Sequence, residues 1–134
     1  MFERIRGLWA EARANAVAKQ VGNILQRYQR MNHTDRYWVF LGFNAVSSEV
    51  ENQLGSIVQW SNEQKKQVAK QIMLSSHTAF SARRNNNINA ETTQLGAHGA
   101  ALLSLYLELQ TLPGDQAANV AAAIENWRAS AQNM

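Results

Sequence analysis

Residues 94–110 read QLGAHGAALLSLYLELQ. Two periods compete inside this stretch. Leu103, Leu105, Leu107 and Leu109 alternate as they would in a half-buried strand. Leu95, Leu102, Leu105, Tyr106 and Leu109 instead recur at the three- and four-residue spacing of one helix face. The helical pattern covers the longer window, and no second alternating run is joined to it by a tight turn. The stretch is therefore predicted as a helix over about 90–111, and the chain as all-α.

Working outward, Asn89 is the expected cap of this helix. Downstream, Pro113-Gly114-Asp115 forms a turn, with Asp115 capping a last helix over about 116–130 that carries Val120, Ala121, Ile124 and Trp127. Upstream, Ser61-Asn62-Glu63-Gln64 is a capping box that opens a helix over about 62–85. Its apolar residues are Val68, Ile72, Met73, Ala79 and Phe80, and Asn85-Asn86-Asn87 stop it. Before it, a helix over about 34–60 carries Val39, Phe43, Val46, Val50, Leu54 and Ile57 on one face. Asn32-His33-Thr34 separates it from a first helix over about 2–31. Short joints between five helices predict an up-and-down bundle.

A chain of 134 residues, 46% hydrophobic and 17% charged, has the size and composition of one globular domain. It contains no cysteine, which removes disulfides, thiol nucleophiles and cysteine-zinc sites. A net charge of +3 makes it mildly basic. Its apolar runs are too short to span a bilayer. The opening stretch MFERIRGLWAEARANA lacks the apolar core of a secretion signal, so the expected location is cytoplasmic.

Three features bear on function. The first lies in helix 1. Phe2, Ile5, Leu8, Trp9, Ala12 and Ala16 form one stripe at 100° steps, while Val17, Val21, Ile24, Leu25, Tyr28 and Met31 form another, turned by about a third of a circle. Along the continuation of the first stripe stand Lys19, Asn23, Arg27 and Arg30. Either the helix bends near residues 14–18 and seats both stripes on one core, or residues 1–16 dock separately, through Phe2, Ile5, Leu8 and Trp9, on a partner protein, a second copy or a membrane surface.

The second feature is a basic stripe, Lys66, Lys70, His77 and Arg84, about 27 Å long at 1.5 Å per residue. Residues 62–86 carry five Lys or Arg against one acid, and residues 87–134 carry one against four. A solvated helix face explains such a stripe, and so does contact with phosphates or an acidic partner. No aromatic residues interleave with it as a nucleic-acid stacking platform requires. The third feature is His98, which falls within the apolar stripe of the fourth helix between Gly96 and Gly99. Two glycines there imply a close neighbour, either another helix or a ligand. His98 reads either as a core histidine or as the centre of a small pocket.

Phosphate loops, dinucleotide fingerprints, nucleophile elbows and local His/Glu metal pairs are all absent. The expected function is that of a non-enzymatic protein-binding module without a cofactor, such as an adaptor, inhibitor, chaperone or assembly subunit, acting through Phe2, Ile5, Leu8 and Trp9 and self-associating in one version. An alternative is an anion-binding module for nucleic acid or an acidic membrane surface, using Arg27, Arg30, Lys66, Lys70 and Arg84. A second alternative is a ligand or catalytic pocket around His98.

Overall fold

The structure is a computed structural model that describes the backbone of residues 2–83 and 90–133 and the side chains of residues 7–75 and 91–133. Five α-helices form an all-α bundle: α1 (Phe2–Gln29), α2 (His33–Leu54), α3 (Asn62–Arg83), α4 (Ala90–Leu109) and α5 (Asp115–Gln132). There is no strand among the described residues. The asparagine stop at residues 85–87 and the cap at Asn89 lie outside the described residues.

Helix α4 is the axis of the core. Ala97, Ala100, Leu102, Leu103, Ser104, Leu105, Leu107 and Leu109 are all buried on it. A helix surrounded by others is apolar on every side, so its sequence shows no single clean stripe. This is the physical origin of the strand-like alternation from Leu103 to Leu109. Around it α2 contributes Val39, Phe43 and Val46, α3 contributes Val68, Ala69 and Ile72, α5 contributes Ile124 and Trp127, and α1 contributes Ala14, Val17, Val21 and Tyr28.

The α2–α4 crossing is closer than side chains normally allow. A Cβ added to Gly42 would fall on the Gly96 backbone, 2.8 Å from its Cα, and one added to Gly99 would come 2.6 Å from the Phe43 amide nitrogen. The glycines flanking His98 are thus accounted for by a neighbouring helix rather than by a ligand.

Several boundaries follow from local chemistry. The capping box is reciprocal: the Gln64 amide donates to Ser61 Oγ at 3.2 Å, and the Ser61 amide donates to Gln64 Oε1 at 2.9 Å. At the start of α2, Asn32 Oδ1 accepts from the Asp35 amide at 2.8 Å. Helix α2 stops at Leu54 rather than near 60, because Gly55 takes φ +86° and donates its N–H back to the Glu51 carbonyl. Ile57 belongs to the short 3-10 turn Ile57–Gln59 that follows. Trp60 closes this corner by donating its indole N–H to the Gly55 carbonyl at 3.0 Å. Asp115 is the first residue of α5 and not its cap. Gly114 holds that position at φ +101°, leaving Asp115 in the first turn, where the helix dipole favours a carboxylate.

Helix α1 runs unbroken, and among its described side chains the second stripe joins the core while Leu8, Trp9, Ala12 and Ala16 of the first are exposed. The alternative in which the helix bends near residues 14–18 to seat both stripes is corrected by the exposure of Leu8 and Trp9, at 62% and 67%. Helix α3 does carry an irregularity. Ser75 has φ −119°, and its hydroxyl donates to the Gln71 carbonyl at 2.7 Å, a bond that competes with the helical ladder and kinks the helix.

Candidate functional site

Because α1 and α3 pack on different sides of α4, a trough opens between them. Its α1 wall is one helix face, with Trp9, Arg13, Gln20, Ile24 and Arg27 falling within about 60° of one another at 100° steps. This face continues the direction of the first stripe: apolar at Trp9, then polar and basic. The α3 wall is Lys66, Lys70, Met73 and Leu74, and the floor is Ala101, Ser104, Leu105 and Glu108 of α4 with Leu112 beyond it. The larger lobe encloses about 830 Å³ and the smaller about 340 Å³, and they share Arg13 and Met73.

One ion pair joins the α1 wall to the floor. Arg13 of α1 and Glu108 of α4 are joined through both guanidinium nitrogens, with Nη2 donating to Oε1 at 2.7 Å and Nε donating to Oε2. The fork geometry fixes both side chains. The hydrogen bond to Glu108 raises the Arg13 pKa above its ordinary value, so the guanidinium is charged throughout the accessible range. On the floor, the Ser104 hydroxyl donates to the Ala69 carbonyl of α3 at 2.5 Å, which occupies its proton. The ionisable groups lining the trough are four cations (Arg13, Arg27, Lys66 and Lys70) and one carboxylate already held by Arg13. Such a lining offers apolar surface and positive charge, without a nucleophile beside a base. Among the described residues no three His, Asp or Glu side chains cluster to hold a metal ion. On the opposite flank of α1 a hollow of about 340 Å³ carries Glu11 and Asp115 and no cation.

The structure brings together residues that the sequence left in separate groups. Trp9 from the apolar stripe and Lys66, Lys70 and Arg27 from the basic set share this trough. Leu8 is exposed beside Trp9 but does not line the trough, and the exposed Arg30 lies off it. The side chains of Phe2 and Ile5, and Arg84 altogether, lie outside the described residues. His98 is half-buried on α4 and is not part of the trough lining. Met73, expected in the core, is 41% exposed, and Leu74 is 79% exposed. Sequence reading missed Leu74, Arg13 and Glu108. The available signal for Leu74 was an apolar residue two positions after Ile72, off the stripe that Val68 and Ile72 define. Nothing local marks Arg13 and Glu108 as a pair, because 95 positions separate them.

The chain matches no protein-family model, no curated protein and no solved structure at a significant level. Among the described residues no helix is long and apolar enough to cross a membrane.

Proposed function

We propose that this protein is a non-enzymatic binding module that accepts a helical segment of a protein partner in the trough between α1 and α3. The observation that carries the reading is the exposure of Trp9, Met73 and Leu74, three large apolar side chains on the two rims of one concave site. Exposed apolar surface concentrated in a groove is the feature used for helix-in-groove recognition. Aromatic and long aliphatic anchors supply most of the affinity in such contacts. Methionine adds a side chain that adapts to different occupants.

The reading keeps the N-terminal half of α1 as the contact element and gives it an opposing wall. Trp9 is its anchor, with Leu8 beside it. Self-association is the version in which the occupant comes from a second copy.

The test is a titration of the protein with a neutral amphipathic helical peptide that has a leucine face and a glutamine face, followed by backbone amide resonances. Shifts confined to residues 7–27, 66–74 and 101–112 are the expected result. No shift, or shifts centred on α5, overturns the reading. A Leu8→Asp, Trp9→Asp variant should lose the response and keep its helicity. Unfolding of that variant would show these side chains to be core.

A further inference from the structure

We propose that the occupant of the α1–α3 trough is an acidic amphipathic helix from a partner protein, with carboxylates on both flanks of its apolar stripe. This rests on the trough being a helix-docking site and adds the chemistry of what docks there.

The shape selects a helix. Two helices form the walls and a third the floor, so the vacant place is that of a fourth element laid in the same layer. The α1 wall runs from Gly7 to Arg27, roughly 30 Å at 1.5 Å per residue, the length of a helix of about 20 residues. A bilayer surface is flat on this scale and would meet the rims without reaching Ser104 and Leu105 on the floor.

The charge selects the sign. Glu108 neutralises Arg13, which leaves Lys66 and Lys70 on one rim and Arg27 on the other. Lys66 has Glu63 at 3.9 Å, but both side chains are mostly exposed, and a pair of this kind is worth little and gives way readily. Neither Arg27 nor Lys70 forms an ion pair among the described residues. Lys66 and Lys70 stand one helical turn apart, about 6 Å along α3. They therefore match two carboxylates spaced by four residues on the flank of a docked helix, while Arg27 takes a carboxylate on its other flank. Arg13 lies where the two lobes join and is held there by Glu108 of the larger lobe, so a polar group separates the apolar seats.

The same charges argue against a second copy. The acidic helices of this chain are α2, α4 and α5, and their main apolar faces, at Val39, Phe43, Leu102, Leu105, Ile124 and Trp127, are already buried. The stretch that does expose Leu8 and Trp9 is basic, with six Lys or Arg against two acids over residues 1–31, and would be repelled by Lys66, Lys70 and Arg27.

The deciding experiment uses three fluorescein-labelled peptides of about 20 residues with one shared leucine stripe and flanks of glutamate, glutamine or lysine, read by anisotropy. The glutamate peptide should bind at least about tenfold more tightly than the glutamine peptide, a preference worth about 1.4 kcal/mol. That preference should shrink at high salt, and the lysine peptide should not bind. A Lys66→Glu, Lys70→Glu, Arg27→Glu variant should reverse the order. Its helicity is checked by circular dichroism, and all three positions are exposed. Leu74→Asp should weaken every peptide. Equal binding of all three peptides, lost in Leu74→Asp, would overturn the acidic occupant and leave the docking site standing. Absence of binding by any peptide would overturn both. Capture by vesicles of phosphatidylglycerol and phosphatidylcholine, without binding of the glutamate peptide, would overturn the inference in favour of a lipid surface. A dimer by light scattering that the glutamate peptide cannot dissociate would overturn it in favour of a second copy.

Discussion

The Arg13 guanidinium on α1 and the Glu108 carboxylate on α4 meet as a two-pronged pair, with Nη2 to Oε1 at 2.7 Å, half in and half out of water. This pair ties the N-terminal half of α1, whose described side chains before Ala14 contribute none of the buried core, to the central helix. It also sets the position of the α1 wall relative to the floor. A double-mutant cycle with Arg13→Met and Glu108→Gln should give a coupling of about 1 kcal/mol, as partly exposed pairs of good geometry do. The coupling should fall in high salt. Additive effects in low salt would mean that the pair does not hold α1.

Gly22 and Gly42, both inside helices, should respond in opposite directions to one added methyl group. Gly22 has open space around its Cα, so Gly22→Ala should stabilise by about 0.5–1 kcal/mol through helix propensity. Gly42 faces the Gly96 backbone, which cannot rotate away, so Gly42→Ala should destabilise by about 1–3 kcal/mol despite the same gain in propensity. Denaturant melts of the two variants check this, and equal shifts would refute the close crossing.

Tyr28 lies edge-on to Trp127, with ring centroids 5.6 Å apart, beneath the Arg36 guanidinium at 5.3 Å. Its hydroxyl is buried near the Trp127 indole N–H without forming a hydrogen bond of good geometry among the described residues, and burial raises its pKa while that neighbouring N–H lowers it. Tyr28→Phe keeps both ring contacts and removes the unsatisfied group. Stability should be unchanged or higher by up to about 1 kcal/mol. A clear loss in thermal unfolding would show that the hydroxyl has a partner.

Tyr106 behaves differently. Its hydroxyl donates to Glu125 Oε1 on α5 at 2.6 Å, and burial followed by the adjacent carboxylate pushes its pKa from 10.0 up to about 12. The folded state therefore holds this proton more tightly than the unfolded chain. The resulting stabilisation is complete below pH 10 and disappears between pH 10 and about 12. Unfolding free energies measured across that window should decline less for Tyr106→Phe than for the parent. Parallel declines would assign the loss to other groups.

The five helices were legible because the breaks between them are local: the Asn32-His33-Thr34 joint, the Ser61/Gln64 box and the turn before Asp115 each act within a few residues, whereas the stop of α2 at Gly55 was missed because a lone glycine inside an apolar pattern does not mark its own φ. The candidate site was legible only in fragments. Trp9 stood out because its stripe disagreed with the core stripe of α1, and Lys66 and Lys70 because of their spacing. What joined them was the position of α4, which lets α1 and α3 flank a common floor. That relation depends on contacts such as Ser104 with Ala69 and Arg13 with Glu108, 35 and 95 residues apart, which leave no periodic trace. Met73 was misplaced for a related reason: a helix stripe gives the direction of the core but not where a neighbouring helix is missing.

The central position of α4 has a consequence for synthesis. The chain is made from its N-terminus, so α1, α2 and α3 leave the ribosome before the helix on which all three are built. Val39, Phe43, Val46, Val68 and Ile72 then wait, wetted, for partners such as Leu102, Leu103 and Leu105 that have not yet been translated. A chain halted once α3 has emerged, with α4 still inside the ribosome, would expose two unmatched apolar faces and would be a substrate for chaperones. A pause placed after α4 has emerged would release a chain that could close at once.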